Sequence, residues 1–85
     1  MTWSIVWSGP ARRDLRRLSP NDASRVLDAL DRLAETGYGD VRPLQGQERQ
    51  WRLRVGDVRV LFTYEDEGGV LRVVRALPRG RAYRP

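Results

Sequence analysis

The sequence predicts one α+β domain over residues 1–85, with an N-terminal strand, a two-helix hairpin and a three-stranded antiparallel sheet, in the order β-α-α-β-β-β. Three observations support this prediction. The first residues alternate between apolar and polar side chains, the following segment has helical periodicity, and the second half alternates again around two glycine-containing turns. A chain of 85 residues is also too short for a two-domain enzyme.

The first strand is predicted over Thr2 to Trp7, with its aromatic and apolar side chains on one face, and residues 8–10 end it. A short helix follows, and Pro10 suits its first turn. The apolar positions of this helix recur at helical spacing, at Ala11, Leu15 and Leu18. Four arginines cover the remaining surface, at Arg12, Arg13, Arg16 and Arg17.

A second helix is predicted to begin after Ser19, which has the capping-box pattern with Asp22, and Pro20 occupies its first position. Its apolar stripe consists of Ala23, Val26, Leu27, Leu30, Leu33 and Ala34. Gly37 is the expected end of the helix. Tyr38 to Gln50 shows no clear period, so we expect a loop that crosses from the helices to the sheet.

Two strands, Trp51 to Val55 and Val58 to Tyr64, flank Gly56-Asp57, a two-residue hairpin turn of the kind that begins with Gly. Such a turn fixes the register of the two strands. The predicted pairs are Val55 with Val58, Arg54 with Arg59, Leu53 with Val60, Arg52 with Leu61 and Trp51 with Phe62.

The two faces of this hairpin differ completely. One face is apolar and is predicted to pack on the helices, with Trp51, Leu53, Val55, Val58, Val60 and Phe62. The other face presents Arg52, Arg54 and Arg59. Because Arg54 stands opposite Arg59 with no acid between them, the pair costs about a few tenths of a kcal/mol. This cluster indicates an anion site, and the alternative is that its arginines are simply solvated.

The last strand is predicted from Val70 to Leu77, after a turn at Asp66-Glu67-Gly68-Gly69. The number of residues in this turn decides which side chains face the arginine cluster. Whether Arg72 or Arg75 joins it therefore stays open. A basic tail from Pro78 to Pro85 completes the chain.

The composition restricts the chemistry. The sequence has no Cys and no His, which excludes disulfides, thiolate metal sites and a cysteine nucleophile, and removes the commonest general base. Three consecutive acids, Glu65, Asp66 and Glu67, are expected to be solvated in their turn, so neither a metal nor a cofactor is expected. Without an apolar span or a signal peptide, we expect a soluble, cytoplasmic protein with no membrane partner.

The charge is concentrated in one half of the chain. Residues 1–41 contain six Arg and six acids, whereas residues 42–85 contain ten Arg and five acids. A basic surface of this kind is typical of proteins that bind polyanions, usually nucleic acid. All sixteen basic residues are Arg. Two causes are compatible with this composition, a codon usage that favours Arg and selection for planar guanidiniums that bind phosphate.

A cluster of guanidiniums suits phosphoryl transfer, because forked donors hold the negative charge that develops in the transition state. Arg79 follows the last strand, whose antiparallel course returns it toward Arg59. Arg cannot readily move protons, so the candidate base is Tyr83, whose pKa neighbouring cations would lower. The alternative for Tyr83 is a structural role at the edge of the core.

The motifs Leu44-Gln45-Gly46, Trp51 through Phe62 and Arg79-Gly80-Arg81-Ala82-Tyr83-Arg84 together resemble the RelE/ParE toxin superfamily. The resemblance covers essentially the whole chain. It implies a type II toxin that enters the ribosomal A site and cuts mRNA by driving a 2′-hydroxyl onto the adjacent phosphate. It also implies a metal-independent endoribonuclease whose partners are a cognate antitoxin and the ribosome with mRNA, with DNA contacted only through the toxin–antitoxin complex.

The resemblance assigns roles to individual residues. The catalytic candidates are Arg52, Arg54, Arg59, Arg79 and Tyr83. Other arginines of the basic second half are the RNA-binding candidates, and no family match assigns them: Arg49, Arg72, Arg75, Arg81 and Arg84. Two departures matter for proton transfer: Arg stands where some members have Lys, and Pro78 occupies a position that often carries His.

Two other functions fit the same scaffold. A ParE-type toxin would inhibit DNA gyrase by protein contact without catalysis, and it would leave RNA intact. A degenerate member would only bind RNA or its antitoxin, with an affinity that falls steeply with salt.

Overall fold

The structure is a computed structural model that describes residues 2–46 and 49–78. Its elements are β1 (Ser4–Trp7), α1 (Gly9–Arg17), α2 (Pro20–Thr36), β2 (Val41–Pro43), β3 (Gln50–Val55), β4 (Val58–Glu65) and β5 (Val70–Pro78). The strands form one five-stranded sheet in the order β1-β5-β4-β3-β2. β1 runs parallel to β5, and the other pairs are antiparallel. The predicted α+β class is confirmed, and the predicted elements follow one another in the predicted order, with one additional strand, β2, before the central hairpin.

The segment predicted as a loop between the helices and the sheet contains a further strand. β2 pairs with β3 in the register Val41 with Leu53, Arg42 with Arg52 and Pro43 with Trp51. Three residues are too few to show an alternating pattern, and Pro43 argues against a strand except at a sheet edge, which is where β2 lies. The expectation of an unpaired loop is therefore wrong for these residues.

Both helices begin at a serine cap. The Ser8 hydroxyl accepts a hydrogen bond from the Ala11 N–H at 3.1 Å and donates to the Val74 carbonyl at 2.9 Å, so it ties α1 to β5. The Ser19 hydroxyl accepts from the Asp22 N–H, as the sequence pattern predicts. α2 ends at Gly37, whose φ of 79° is the left-handed conformation that favours glycine.

The core lies between the two helices and one face of the sheet. The apolar hairpin face points inward as predicted, and its Leu53, Val58, Val60 and Phe62 are almost fully buried. From α2, Val26, Leu30 and Leu33 pack against it. Leu27 was also expected in this stripe, but 42% of it is exposed, because it lies at the edge of the stripe beyond the reach of the sheet.

The central hairpin has the predicted register at all five predicted pairs, from Val55 with Val58 to Trp51 with Phe62. Gly56 has a φ of 57°, as the first position of this turn type requires. The second turn spans four residues between Glu65 and Val70. No helix in the described ranges is long and apolar enough to cross a membrane.

Candidate nucleic-acid interface

Among residues 2–46 and 49–78, six arginines share the face of the sheet opposite the core, which we call the outer face. Side chains alternate between the faces along each strand, so the strand registers identify its members. They are Arg42 on β2, Arg52 and Arg54 on β3, Arg59 on β4, and Arg72 and Arg75 on β5. Two adjacent rows cross the sheet, one with Arg42, Arg52, Leu61 and Arg75, and one with Arg54, Arg59 and Leu77.

The sequence left open whether Arg72 or Arg75 faces the arginine cluster, and a bulge in β5 decides this. These residues are three apart, so in a regular strand they would lie on opposite faces. The register shifts between Leu61 and Phe62, which pair with Arg75 and Val73 and leave Val74 without an opposite residue. Because of this extra residue, both arginines lie on the outer face.

Arg59 is the buried arginine of this face, with only 5% of its surface exposed. Its Nη1 donates to the Gly56 carbonyl at 3.4 Å, across the turn that precedes it. Arg59 stands directly between Arg54 on β3 and Leu77 on β5. Arg52 is half-buried on the neighbouring row. The guanidinium of Arg59 is therefore restricted far more than that of a solvated arginine.

Arg54 has an acidic neighbour that the sequence did not indicate. Its Nε lies 3.4 Å from Asp40 Oδ2, and its backbone N–H donates to the Asp40 carbonyl at 3.0 Å. Both side chains are more than half exposed. No acid was expected between Arg54 and Arg59, and Asp40 lies instead on the other side of Arg54, where it partly offsets the charge of that residue. Asp40 reaches Arg54 because β2, which follows it, lies beside β3.

Arg75 is held by a buried carboxylate on α1. Asp14 is 4% exposed and accepts from Arg75 Nε at 2.7 Å, from Arg75 Nη2 at 3.1 Å and from the Ala76 N–H at 3.0 Å. Burial alone would raise the pKa of Asp14, but these hydrogen bonds and the charges of Arg75 and Arg17 outweigh it and lower the pKa. The same bond raises the pKa of Arg75.

Arg72 is paired as well. Its Nε and Nη2 donate to the two carboxylate oxygens of Glu65 at 2.6 and 3.2 Å. This hydrogen bond lowers the pKa of Glu65 and raises that of Arg72, although both groups are open to solvent. Glu65 therefore partly neutralises this end of the outer face.

Arg49 lies away from the arginine rows. It lines an open cavity of about 860 Å³ at the start of β3, with Trp51, Tyr64 and the acidic residues of the second turn. Tyr64 contacts Trp3 in this region, with ring centroids 4.7 Å apart, and burial raises the pKa of its hydroxyl. Arg49 has a φ of 64°.

The remaining predicted site residues, Arg79, Arg81, Tyr83 and Arg84, lie outside the described residues. The structure does define where the preceding strand ends. Leu77 pairs with Arg59 and Pro78 with Val58, so β5 returns to the end of the sheet that carries Arg59. The predicted antiparallel course of this strand is confirmed.

The sequence reasoning missed three charged residues that belong to this region: Arg42, Asp14 and Asp40. Arg42 was hidden in a segment interpreted as a loop. Asp14 gave one usable signal, since it is the single acid in a helix with four arginines and lies on the side of its apolar residues. Asp40 gave no signal, because its partner is set by the pairing of β2.

Comparison with known proteins agrees with this architecture. Residues 5–83 match the family described as the ParE toxin of type II toxin-antitoxin system, parDE. A search of curated protein sequences gave no significant match.

Solved structures of toxins have the same fold. The RelBE2 toxin–antitoxin complex from Mycobacterium tuberculosis matches with 26% identity and a TM-score of 0.79, over 93% of this chain and 100% of that chain. The RelE–RelB complex from Pyrococcus horikoshii matches with 26% identity and a TM-score of 0.77, over 95% and 99% of the two chains.

A more distant match supports the fold alone. The isolated RelE toxin of E. coli is 15% identical, with a TM-score of 0.79, over 91% of this chain and 84% of that chain. The family match spans nearly all of the sequence, and the sheet order, helical layer and arginine-rich outer face accompany it. The chain therefore belongs to the ParE toxin family, within the RelE/ParE superfamily of toxins from type II toxin–antitoxin systems.

Proposed function

We propose that this toxin is a ribosome-dependent endoribonuclease that cuts mRNA in the A site and thereby inhibits translation. The observation that carries the proposal is the arrangement of Arg52, Arg54 and Arg59 on adjacent strands of the outer face, with Arg59 buried. A buried, oriented guanidinium in a row of arginines suits a phosphate whose charge changes during reaction.

The proposed reaction needs no group beyond the RNA itself as nucleophile. The 2′-hydroxyl loses its proton and attacks the adjacent phosphate, and a 2′,3′-cyclic phosphate forms as the P–O5′ bond breaks. The 5′-oxygen of the next nucleotide takes a proton from solvent and leaves as a hydroxyl. Arg52, Arg54 and Arg59 stabilise the negative charge on the non-bridging oxygens. In free toxin Arg54 is partly neutralised by Asp40, at 3.4 Å, and this exposed pair opens at small cost when phosphate binds.

Proton transfer is assigned to residues after β5. Arginine remains protonated at physiological pH, so a separate group must accept the proton of the 2′-hydroxyl. Tyr83 is the proposed base, and Arg79 adds a further positive charge to the site. Arg72 and Arg75 are proposed to bind flanking phosphates rather than the scissile one, because each is already bonded to a carboxylate.

The proposed regulator is a cognate antitoxin that masks the outer face. Acidic side chains from such a partner would compete with RNA for the same arginines. The complexes from M. tuberculosis and P. horikoshii contain antitoxins bound to toxins of this fold, which supports this partner.

The decisive experiment adds the purified protein to a translating extract and maps new mRNA 5′ ends. The samples are wild type, Arg59→Ala, Arg32→Ala as an exposed control on α2, and a reaction without ribosomes. We expect cuts in the A site with wild type and Arg32→Ala only. Because Arg59 is buried, its variant is also checked for folding by thermal melting, and Arg52→Ala supplies a second test at a more exposed position.

The second candidate is inhibition of DNA gyrase by protein contact, and the match to the ParE toxin family favours it. This function predicts intact mRNA and undisturbed translation, together with blocked supercoiling. Gyrase inhibition in a supercoiling assay with no new mRNA ends would replace the endoribonuclease proposal.

A further inference from the structure

The two helices present surfaces of opposite charge. α1 contains four arginines and one aspartate, whereas α2 contains two arginines and four acidic residues. The net charge of residues 1–41 is therefore zero because the excess negative charge of α2 and Asp40 balances the excess positive charge of α1. In the folded protein the charges do not cancel locally, since the helices are separate elements.

The arginines of α1 form one exposed stripe, which we call the α1 arginine stripe: Arg12, Arg13, Arg16 and Arg17. At 100° per residue they cover an arc of about 140°. The opposite side of the helix carries Ala11 and Asp14, which are buried. The stripe thus faces away from the core along the whole length of the helix.

In the described part of the chain, no arginine of this stripe forms an ion pair. The ion pairs there join Arg54 to Asp40, Arg72 to Glu65 and Arg75 to Asp14. Asp14 is the acid nearest in sequence, but its oxygens accept from Arg75 and from the Ala76 N–H. Its charge is therefore largely neutralised beneath the stripe.

Helix stability does not explain the stripe. Arg12 with Arg16 and Arg13 with Arg17 are like charges four residues apart, which repel each other on a helix. Arg16 and Arg17 gain from the negative end of the helix dipole, but Arg12 and Arg13, before and at the middle of the helix, do not. A bound polyanion would relieve this repulsion.

The stripe is continuous with the outer face. α1 packs beside β5, where Asp14 holds Arg75. A cavity of about 260 Å³ at the end of α1 is lined by Arg17 and also by Leu77 and Pro78 of β5. Because Leu77 pairs with Arg59, this cavity links the end of the α1 arginine stripe to the row of the outer face that contains Arg59.

We propose that the α1 arginine stripe is a second contact surface, which binds the phosphodiester backbone of RNA that extends beyond the outer face. The proposal rests on the proposed endoribonuclease function. The RNA is either the mRNA that flanks the cut or the structural RNA of the ribosome, and both offer the same phosphates. An acidic protein segment fits less well, because the arc has no apolar side chain to anchor a protein interface.

The test uses the full-length protein and a double variant, Arg12→Gln/Arg13→Gln. These substitutions remove one arginine from each like-charge pair and neither arginine that gains from the helix dipole, so the variant should melt at or above the wild-type temperature. Arg32→Glu on α2 is the matched control, because it lowers the net charge by the same amount from an exposed position on the other helix. The probe is a single-stranded 2′-O-methyl RNA, which cannot be cleaved by 2′-hydroxyl attack.

Affinity is measured by fluorescence anisotropy across a salt series. Because the double variant no longer neutralises two phosphates, its slope of log affinity against log salt should be shallower than that of wild type by about 1.4. The slope of Arg32→Glu should stay near that of wild type. An equal change in both variants would show a general effect of net charge and would overturn the proposal. An unchanged slope in the double variant, together with unchanged binding to ribosomes, would overturn it as well.

Two further arms identify the source of the phosphates and the class of partner. Reduced co-sedimentation of the double variant with mRNA-free ribosomes would identify ribosomal RNA as the source of the phosphates. A loss of affinity for the free RNA alone would identify mRNA. Both outcomes support the proposed contact surface. A loss confined to binding of poly-glutamate would assign the stripe to an acidic protein and overturn the proposal. If wild type binds neither RNA nor ribosomes, both the endoribonuclease proposal and the proposed RNA contact fail. If wild type cleaves mRNA normally and the double variant binds RNA and ribosomes as wild type does, only the proposed contact at the α1 arginine stripe fails.

Discussion

Arg75 Nε donates to Asp14 Oδ2 at 2.7 Å, and the same oxygen accepts the Ala76 N–H at 3.0 Å. One carboxylate on α1 therefore binds both a side chain and the backbone of β5. The backbone bond lies beyond Trp7, the last residue of β1. The Ala76 N–H therefore donates to α1 instead of to β1, and this contact joins the helical layer to the sheet.

Asp14→Ala should destabilise the protein. It leaves a buried N–H and one guanidinium without their acceptor, and charged hydrogen bonds of this kind contribute about 2 kcal/mol to stability. Asp14→Asn keeps an acceptor for Ala76 and should lose less. Urea unfolding measures both, and Asp31→Ala, an exposed acid on α2, should remain close to wild type. Equal stability of the two alanine variants would contradict a role for Asp14 in joining α1 to β5.

The same contact predicts an acid-dependent loss of stability. Because the pKa of Asp14 is lower in the folded than in the unfolded chain, its contribution is fully present above its unfolded pKa of about 3.9 and is lost as the pH falls through the folded value. Unfolding free energy measured between neutral pH and strong acid should therefore fall less steeply in Asp14→Asn than in wild type. Parallel curves would mean that the carboxylate is not stabilised by folding.

Gly56→Ala should destabilise the central hairpin by about 1 kcal/mol, because a residue with a Cβ is strained at its φ of 57°. An added Cβ would also lie 3.1 Å from the guanidinium of Arg25, which is flexible enough to move. Gly9→Ala is the matched control, since Gly9 lies in a helix and its added Cβ meets no atom closer than 3.8 Å. Thermal melting should show a drop for the first variant only.

Ser8→Ala should cost more stability than Ser19→Ala. Removal of a serine cap costs about 1 kcal/mol. Ser8 in addition donates to the Val74 carbonyl in the β5 bulge, a bond without an equivalent at Ser19 in the described residues. Chemical unfolding of the two single variants gives the difference. A larger loss at Ser19 would show that the Val74 bond contributes nothing.

The sequence predicted the features that depend on local rules. A two-residue turn beginning with Gly56 defined the hairpin register, and alternation then separated the apolar face from Arg52, Arg54 and Arg59. The serine caps and Gly37 lie where propensity places helix ends.

Features that depend on tertiary contacts could not be predicted from the sequence. β2 is a strand only because the edge of β3 pairs with it, and the bulge at Val74 reverses the side-chain alternation without any residue type that marks it. Asp14 is buried by partners 61 and 62 residues away, which no periodicity within α1 can indicate. The roles of Arg79 and Tyr83 in catalysis stay predictions.

The parallel pairing of β1 with β5 affects how the protein is made. Ser4 pairs with Val70, and the Ser8 hydroxyl reaches the Val74 carbonyl 66 residues away. β1 has no partner strand until β5 has left the ribosome, since β5 alone separates it from the rest of the sheet. High contact order of this kind slows folding. During synthesis the sheet therefore stays incomplete until β5 emerges.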